Sequence, residues 1–218
     1  MRRVQARIAA AANRVGRRAE DVTLVAVTKG VDAPMIRGAF AAGARHFGEN
    51  RVQEARTKIE QMDDLRDAAT WHMIGNLQSN KAKEAVRLFA IIQSVASVEL
   101  SERLNRAAVH RLPVFLEVNV AGEPTKHGFL PDALPAAVER LARFTNLEIR
   151  GLMTVAPATS DPAGVRPVFR RLRGLGESLG LKELSMGMTD DFEVAVEEGA
   201  TMVRIGRAIF GERTRVGL

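Results

Sequence analysis

The 218-residue chain contains no cysteine and no tyrosine, and only 5% of its residues are aromatic. The lack of cysteine excludes disulfide bonds, thiolate metal sites and thiol nucleophiles, and it fits a reducing compartment. No apolar run approaches the ~20 residues that span a bilayer. The amino-terminal segment begins Met1-Arg2-Arg3 like a signal peptide, but Arg7, Asn13 and Arg14 interrupt it. We therefore expect a cytoplasmic protein that does not enter the membrane.

The chain also lacks the usual pattern of a nucleic-acid binder, although its formal net charge is +6. Such proteins concentrate basic residues on one surface and interleave them with aromatic side chains. Here the 26 arginines and six lysines are spread along predicted helices beside glutamate and aspartate. This distribution predicts no nucleic-acid partner and favours a small anionic ligand as the reason for the positive charge.

Short apolar runs alternate with helical segments along the whole chain. A helix over residues 1–18 comes first. Asp32 is placed to cap a later helix that has Pro34 in its first turn, an apolar face formed by Met35, Ile36, Ala39 and Phe40, and an end near Gly43. Further helices are predicted over 51–61 and from Leu77 onward. The eight strand-like runs are residues 22–28, 46–48, 71–75, 89–93, 114–120, 149–154, 184–186 and 202–205.

Eight alternating units with almost entirely apolar strands favour an α/β fold, a closed (β/α)8 TIM-type barrel with an extra amino-terminal helix. A doubly wound open sheet is the alternative, because periodicity does not show closure. No linker, low-complexity segment or tandem repeat interrupts the pattern, so we expect one domain over residues 1–218.

In a barrel, the carboxyl ends of the strands form the mouth where active sites are built. Lys29 ends the apolar run of the first strand. Desolvation there would lower the pKa of its amine and make it a better nucleophile toward an aldehyde. The alternative is an ordinary lysine whose stem packs on the barrel and whose ammonium group reaches solvent.

Two neighbouring loops, residues 185–189 and 204–207, follow the seventh and eighth strands, where barrels often bind phosphate. The first loop is alternatively a tight turn with a helix cap. Asn50 is placed either to contact a ligand or to cap its helix, and His72 is more typical of a hydrogen-bonded core residue. The segment 122–128 is either a mobile loop over the mouth or a solvated loop. The four histidines are scattered, so no metal site is predicted.

Six ordered stretches of the chain resemble one known family. They are residues 24–29 (LVAVTK), 47–54 (FGENRVQE), 71–81 (WHMIGNLQSNK), 151–154 (GLMT), 184–192 (LSMGMTDDF) and 203–211 (VRIGRAIFG). These segments are similar to the pyridoxal phosphate homeostasis proteins, whose fold is like the barrel domain of alanine racemase. The resemblance extends over nearly the whole chain.

This resemblance implies that the chain binds pyridoxal 5′-phosphate (PLP) as a covalent aldimine on Lys29. It implies that Arg204 faces the pyridine nitrogen and that Asn50, His72 and Met153 lie near the cofactor. The residues it implies for the phosphate cradle are Ser185, Gly187, Met188, Thr189, Gly206 and Arg207.

The chain departs from the family pattern at three places. Gly30-Val31 replaces a frequent Thr-Lys, Asn76 replaces a frequent proline, and Arg207 replaces a small hydroxyl residue. The last change removes a hydroxyl contact to phosphate, although a guanidinium group is able to bind phosphate through two hydrogen bonds.

The missing residue types bear on catalysis. Barrel racemases take a second acid/base from a tyrosine, and the related decarboxylases use a cysteine from a partner subunit; this chain has neither. The remaining candidates are His72, Lys126 and His127. We therefore expect a non-catalytic, monomeric PLP carrier that contacts apo-enzymes only transiently. The alternatives are a weak amino-acid racemase and a barrel that binds another phosphorylated metabolite without covalent chemistry.

Overall fold

The computed structural model describes residues 1–157 and 161–211, and in these ranges eight parallel strands close into a barrel in sequential order. Strand β8 pairs in parallel with β1, so the sheet has no free edge. This closure confirms the predicted barrel, and the doubly wound alternative is wrong. The strands are β1 (Thr23–Val27), β2 (His46–Glu49), β3 (Thr70–Met73), β4 (Ile91–Val95), β5 (Leu112–Glu117), β6 (Leu147–Met153), β7 (Glu183–Ser185) and β8 (Met202–Ile205).

Helices cover the outside of the barrel. They are α1 (Arg2–Arg14), α2 (Ala33–Ala41), α3 (Val52–Gln61), α4 (Ala82–Leu88), α5 (Val98–Ala107), α6 (Leu134–Leu141), α7 (Arg166–Ser178), α8 (Phe192–Glu197) and α9 (Arg207–Phe210). Within the described residues, no helix combines the length and the apolar character needed to cross a membrane.

The extra amino-terminal helix α1 packs mainly against α8. Val4, Ile8 and the Ala11–Ala12 pair are its buried face. Across the contact, the Arg7 guanidinium lies 4.6 Å from the centre of the Phe192 ring. The helix ends at Arg14, four residues earlier than the sequence pattern predicts.

Helix α2 begins as predicted, because the Asp32 side chain accepts a 3.0 Å hydrogen bond from the Met35 amide. Ile36 and Ala39 are buried, but the Met35 side chain is 46% exposed, so Met35 was wrongly assigned to the apolar face. Adjacent helical residues point about 100° apart, and burial of Ile36 turns Met35 outward.

Two predicted boundaries are shifted, for the same physical reason. The fourth strand begins at Ile91 rather than Phe89, and the helix predicted from Leu77 becomes a 3₁₀ turn at Ser79–Lys81 followed by α4 from Ala82. Phe89 and Leu77 are both buried, but in loops. An apolar side chain signals burial and does not by itself distinguish a strand or helix from a loop that packs on the core.

The hydrophobic core has two parts. The larger lies between the strands and the helices. The smaller consists of Val25, Ile91, Phe115, Met153 and Met202, contributed by five different strands. Because strand side chains alternate between the two faces, these residues fill the barrel interior, and the polar groups described next lie beside them.

Candidate functional site

Lys29 lies directly after β1, at the carboxyl-end mouth of the barrel, and is half-buried. The Thr28 amide still donates to the Gly48 carbonyl (2.9 Å), which continues the pairing of β1 with β2 to the residue before the lysine. The Val31 amide then donates to the Thr28 carbonyl (2.9 Å) and closes a tight turn. Lys29 therefore extends from a turn that is anchored to the barrel.

The two predicted anion-binding loops lie side by side. Gly187 has φ +93°, and a β-carbon there would lie 2.5 Å from the Ala195 β-carbon, so only glycine fits this turn into α8. The Arg207 guanidinium, from the second loop, bonds both carboxylate oxygens of Asp190 in the first at 2.5 Å. The Met188 amide donates to the Asp191 side chain (2.6 Å). The Arg207–Asp190 ion pair therefore joins the two loops.

Arg204 lies inside the barrel beneath these loops and is only 4% exposed. Its guanidinium donates to the Ser185 hydroxyl (2.7 Å) and to the Thr154 carbonyl (2.8 Å). Burial lowers the pKa of Arg204 to about 10, against the opposing effect of the Glu117 and Asp191 carboxylates. The side chain therefore remains a cation at neutral pH.

A hydrogen-bonded chain runs from Arg204 through the barrel interior. The Ser185 hydroxyl, which accepts from Arg204, donates to Gln93 Oε1 (2.6 Å), and Gln93 Nε2 then lies 2.8 Å from His72 Nδ1. His72 Nε2 is 3.0 Å from His46 Nδ1. Since an amide nitrogen only donates, Nδ1 of His72 accepts and its Nε2 carries the proton, which His46 Nδ1 accepts. These hydrogen bonds therefore assign a neutral tautomer to both histidines.

This series of hydrogen bonds bears on the two interpretations of His72. The side chain is completely buried, both ring nitrogens are engaged, and it connects to the mouth only through Gln93 and Ser185. The geometry favours a hydrogen-bonded core residue, and a direct cofactor contact stays a prediction. The sequence does not predict the roles of Gln93 and His46, because a polar residue within a strand does not reveal which face of the sheet it occupies.

The pKa of His72 gives a testable pH dependence. Burial, with smaller electrostatic effects of His46 and Arg150, lowers this pKa from 6.5 to about 3. Between these two values the unfolded chain binds one more proton at His72 than the folded chain, so the free energy of unfolding falls as pH is lowered. In His72→Gln we expect the free energy of unfolding to fall less steeply as pH is lowered than it does in the native protein. The difference in slope should be about 1.4 kcal/mol per pH unit.

The measurement is urea unfolding of both proteins between about pH 4 and pH 6, within the range that separates the two pKa values. Titration of the other groups is common to both proteins and cancels in the difference. Parallel stability profiles would show that His72 binds protons equally in the folded and unfolded states, which would mean that folding does not lower its pKa.

Asn50 and Met153 occupy different depths at the mouth. Asn50 precedes Arg51, the N-cap of α3, so the alternative of a helix cap is wrong for Asn50. Its Oδ1 is buried and has no hydrogen-bond partner among the described residues, and it borders a cavity of about 400 Å³ whose lining includes Asn76. Met153 belongs to the interior cluster and lies beneath the mouth.

The segment 122–128 contacts the loops that follow two other strands. Asn119 holds the chain on both sides of this segment. Its side chain accepts from the Glu123 amide (3.1 Å) and donates to the Glu123 carbonyl (2.8 Å), and its own amide donates to the Phe129 carbonyl (3.0 Å). The Lys126 ammonium donates to the Val155 carbonyl (3.2 Å) after β6, and His127 lies 3.2 Å from Asn76 after β3. The segment therefore lies across one side of the mouth. Over the described part of the chain, no cluster of side chains suits a metal ion.

Fold and site together define a class of protein: a parallel (β/α)8 barrel with a lysine at its mouth, a buried guanidinium and two adjoining loops after β7 and β8. Residues 3–214 match the family model described as alanine racemase, N-terminal domain, and the chain belongs to this family.

Curated relatives and solved structures agree with this assignment. The chain is 44% identical to the pyridoxal phosphate homeostasis protein of Pseudomonas aeruginosa, over 97% of this chain and 93% of that protein. It is 41% identical to the protein of the same name from Aquifex aeolicus, over 97% and 96% of the two chains. PipY of Synechococcus elongatus with PLP bound superimposes with a TM-score of 0.83 at 39% identity, covering 95% of this chain and all of PipY.

Alanine racemase of Corynebacterium glutamicum shares the fold at 17% identity, with a TM-score of 0.69. The match covers 99% of this chain but only 62% of the racemase. The racemase therefore has a large part with no counterpart in this chain.

Proposed function

We propose that this chain binds PLP as a Schiff base on Lys29 and serves in intracellular PLP homeostasis, holding the cofactor rather than converting a substrate. The observation that carries the proposal is the placement of Lys29 at the same barrel mouth as Arg204 and the two anion-suited loops. Relatives at 41–44% identity that are named for PLP homeostasis support it.

The residues at the mouth fit this cofactor, which supplies an aldehyde and an electron-withdrawing pyridine ring. Lys29 provides the amine, and the loops after β7 and β8 place backbone amides near the mouth at the starts of α8 and α9. The Phe192 amide at the start of α8 already donates to the Met188 carbonyl (2.8 Å). The orphaned Asn50 Oδ1 is a polar position that a ligand donor would satisfy.

One contact between the loops competes with a phosphate group. The exposed Arg207–Asp190 pair occupies the guanidinium that would otherwise bind the phosphate. Exposed ion pairs contribute at most about 1 kcal/mol to stability, so replacing Asp190 by phosphate as the partner of Arg207 costs little free energy. In the proposed complex Arg207 transfers from Asp190 to the ligand.

Arg204 makes the site a poor electron sink. It is a buried cation, and we place it beside the pyridine nitrogen, where like-charge repulsion disfavours protonation of the ring. Its hydrogen bonds to Ser185 and Thr154 hold the guanidinium in one orientation. This arrangement weakens the ring as an electron sink but still permits racemisation, so the choice between a carrier and a racemase depends on a second acid/base.

The candidates for a second acid/base are also poorly suited to the task. His72 is buried with a pKa of about 3 and with both nitrogens engaged. Lys126 bonds Glu123 and the Val155 carbonyl, and His127 contacts Asn76. Together with the absence of tyrosine and cysteine, these contacts favour a carrier over a racemase. We propose further that the carrier is cytoplasmic and monomeric and meets apo-enzymes transiently.

The test separates the carrier from both alternatives. The protein, loaded with PLP and freed of excess, is mixed with a cofactor-free aminotransferase, while α-proton exchange of L-alanine is followed in D₂O. We expect the aminotransferase to regain activity and the exchange to stay at the buffer level. Exchange that disappears in Lys29→Ala would instead identify a racemase, and a protein that stays colourless with PLP would be a binder of another phosphorylated ligand.

A further inference from the structure

A buried cluster of three charged side chains lies directly behind the turn that carries Lys29. Lys58 of α3 is 7% exposed and its ammonium group donates to Glu49 (2.7 Å) and to Glu54 (2.6 Å). Glu49, the last residue of β2, is completely buried. The cluster therefore lies on the outer side of the barrel wall, between β2 and α3, and does not line the mouth.

This cluster holds the peptide groups on both sides of Lys29. The Lys58 ammonium donates a 2.5 Å hydrogen bond to the Thr28 carbonyl, and the Gly30 amide donates a 2.5 Å hydrogen bond to Glu54. The Thr28 hydroxyl donates to Glu49 (2.6 Å). Every one of these bonds ends on a residue adjacent to the lysine, and together they tie the turn to a helix and to a neighbouring strand.

The turn needs such ties, because Gly30 has a positive φ of +69°. Glycine populates many backbone conformations, so the sequence Lys29-Gly30 does not by itself select one. Gly30 also stands where the chain departs from the pattern of the related family. The bond from its amide to Glu54 selects the observed conformation.

Stability alone is a weak explanation for the cluster. Removing an ammonium group and a carboxylate from water costs several kcal/mol per ion, and well-packed apolar residues often stabilise such a position equally well. Burial alone would raise the pKa of Glu54, but hydrogen bonds from Lys58 and Gly30 outweigh it and leave that pKa below its ordinary value. Glu54 is thus an anion at neutral pH and a strong acceptor for the Gly30 amide.

We propose that Lys58, Glu49 and Glu54 are positioning residues that hold the Thr28–Gly30 turn so that the Lys29 amine meets the aldehyde of bound PLP. The inference rests on the proposed function. In the step concerned, the unprotonated Lys29 nitrogen adds to the aldehyde carbon, a C=N bond forms, and the aldehyde oxygen leaves as one water molecule. The cluster touches none of the reacting atoms and acts only through the backbone.

The first variant is Lys58→Met, which keeps much of the side-chain volume and removes both the ammonium group and the bond to the Thr28 carbonyl. We expect the rate of imine formation with PLP to fall about tenfold to a hundredfold, because small misplacements of a reacting group cost factors of this size. Binding of 4′-deoxypyridoxine 5′-phosphate, which lacks the aldehyde, should change less than about twofold, since it samples only the ring and phosphate contacts. A uniform loss of both would indicate general damage to the site and overturn the proposal.

Glu54→Ala provides a milder second variant, because Glu54 lies at the edge of the cluster and the Lys58–Glu49 pair remains. It should slow imine formation and raise the hydrogen-exchange rate of the Gly30 amide in the cofactor-free protein. Glu54→Gln keeps an acceptor oxygen and should restore most of both properties. Glu60→Ala, an exposed residue of the same helix, is the matched control and should behave as the native protein.

The two readouts distinguish failure of this inference from failure of the proposed function. If the native protein forms the adduct on Lys29 and Glu54→Ala and Lys58→Met form it equally fast, the positioning role is wrong and the proposed function stands. If the native protein forms no adduct on Lys29, the positioning role and the proposed function are both wrong. Faster hydrogen exchange of the Gly30 amide in Glu54→Ala would then show only that the cluster holds the backbone of the turn.

Discussion

Lys29→Ala removes the visible absorption band that the native protein is expected to acquire with PLP, and it removes the peptide adduct left by borohydride reduction. Lys29 is the lysine that ends a barrel strand at the mouth. The other five lysines lie elsewhere, at positions 58, 81, 83, 126 and 182. Loss of the amine at the end of this strand should therefore abolish the covalent product rather than weaken it.

Lys182→Ala is the matched control, because Lys182 is exposed and precedes β7 at the opposite end of the barrel. It should retain the full band and the adduct on Lys29. Phosphate and ring contacts persist in Lys29→Ala, so this variant should still bind PLP non-covalently. An adduct on several surface lysines in the native protein, or an unchanged band in Lys29→Ala, would contradict the assignment.

Arg204→Met should lower the free energy of unfolding of the cofactor-free protein by about 3 to 5 kcal/mol. The guanidinium is buried and bonds the Ser185 hydroxyl and the Thr154 carbonyl. Its removal leaves those acceptors unsatisfied and leaves the Glu117 and Asp191 carboxyls, whose pKa values burial already raises, without a nearby cation. Urea unfolding followed by circular dichroism measures the change.

Arg207→Met is the control for a guanidinium at the same mouth. Its exposed pair with Asp190 should contribute no more than about 1 kcal/mol to the free energy of unfolding. The Arg207→Met variant should nevertheless bind PLP less tightly than the native protein. Arg204→Lys should recover only part of the stability. One ammonium group does not reproduce the geometry of the planar guanidinium, which donates to Ser185 and to Thr154 at the same time. A loss below about 1 kcal/mol for Arg204→Met would show that the interior chain does not depend on this cation.

Sequence periodicity predicted all eight strands of the barrel, because buried parallel strands are apolar on both faces and the segments between them have helical spacing. It also predicted that Lys29 and the two loops would share one end, since all parallel strands point the same way. Its errors at Phe89, Leu77 and Met35 arise where an apolar side chain lies in a buried loop or turns outward from a helix.

By itself, then, the sequence determined the fold class, the end of the barrel where the site lies, and the exclusion of tyrosine and cysteine from the chemistry. Only the tertiary structure decided which polar side chains meet. The chain from Arg204 to His46 and the cluster around Lys58 join residues from different strands and helices. These partners are brought together by strand pairing, register and closure of the barrel. Local periodicity carries no information on those long-range relations, because it describes only residues that are close in the chain.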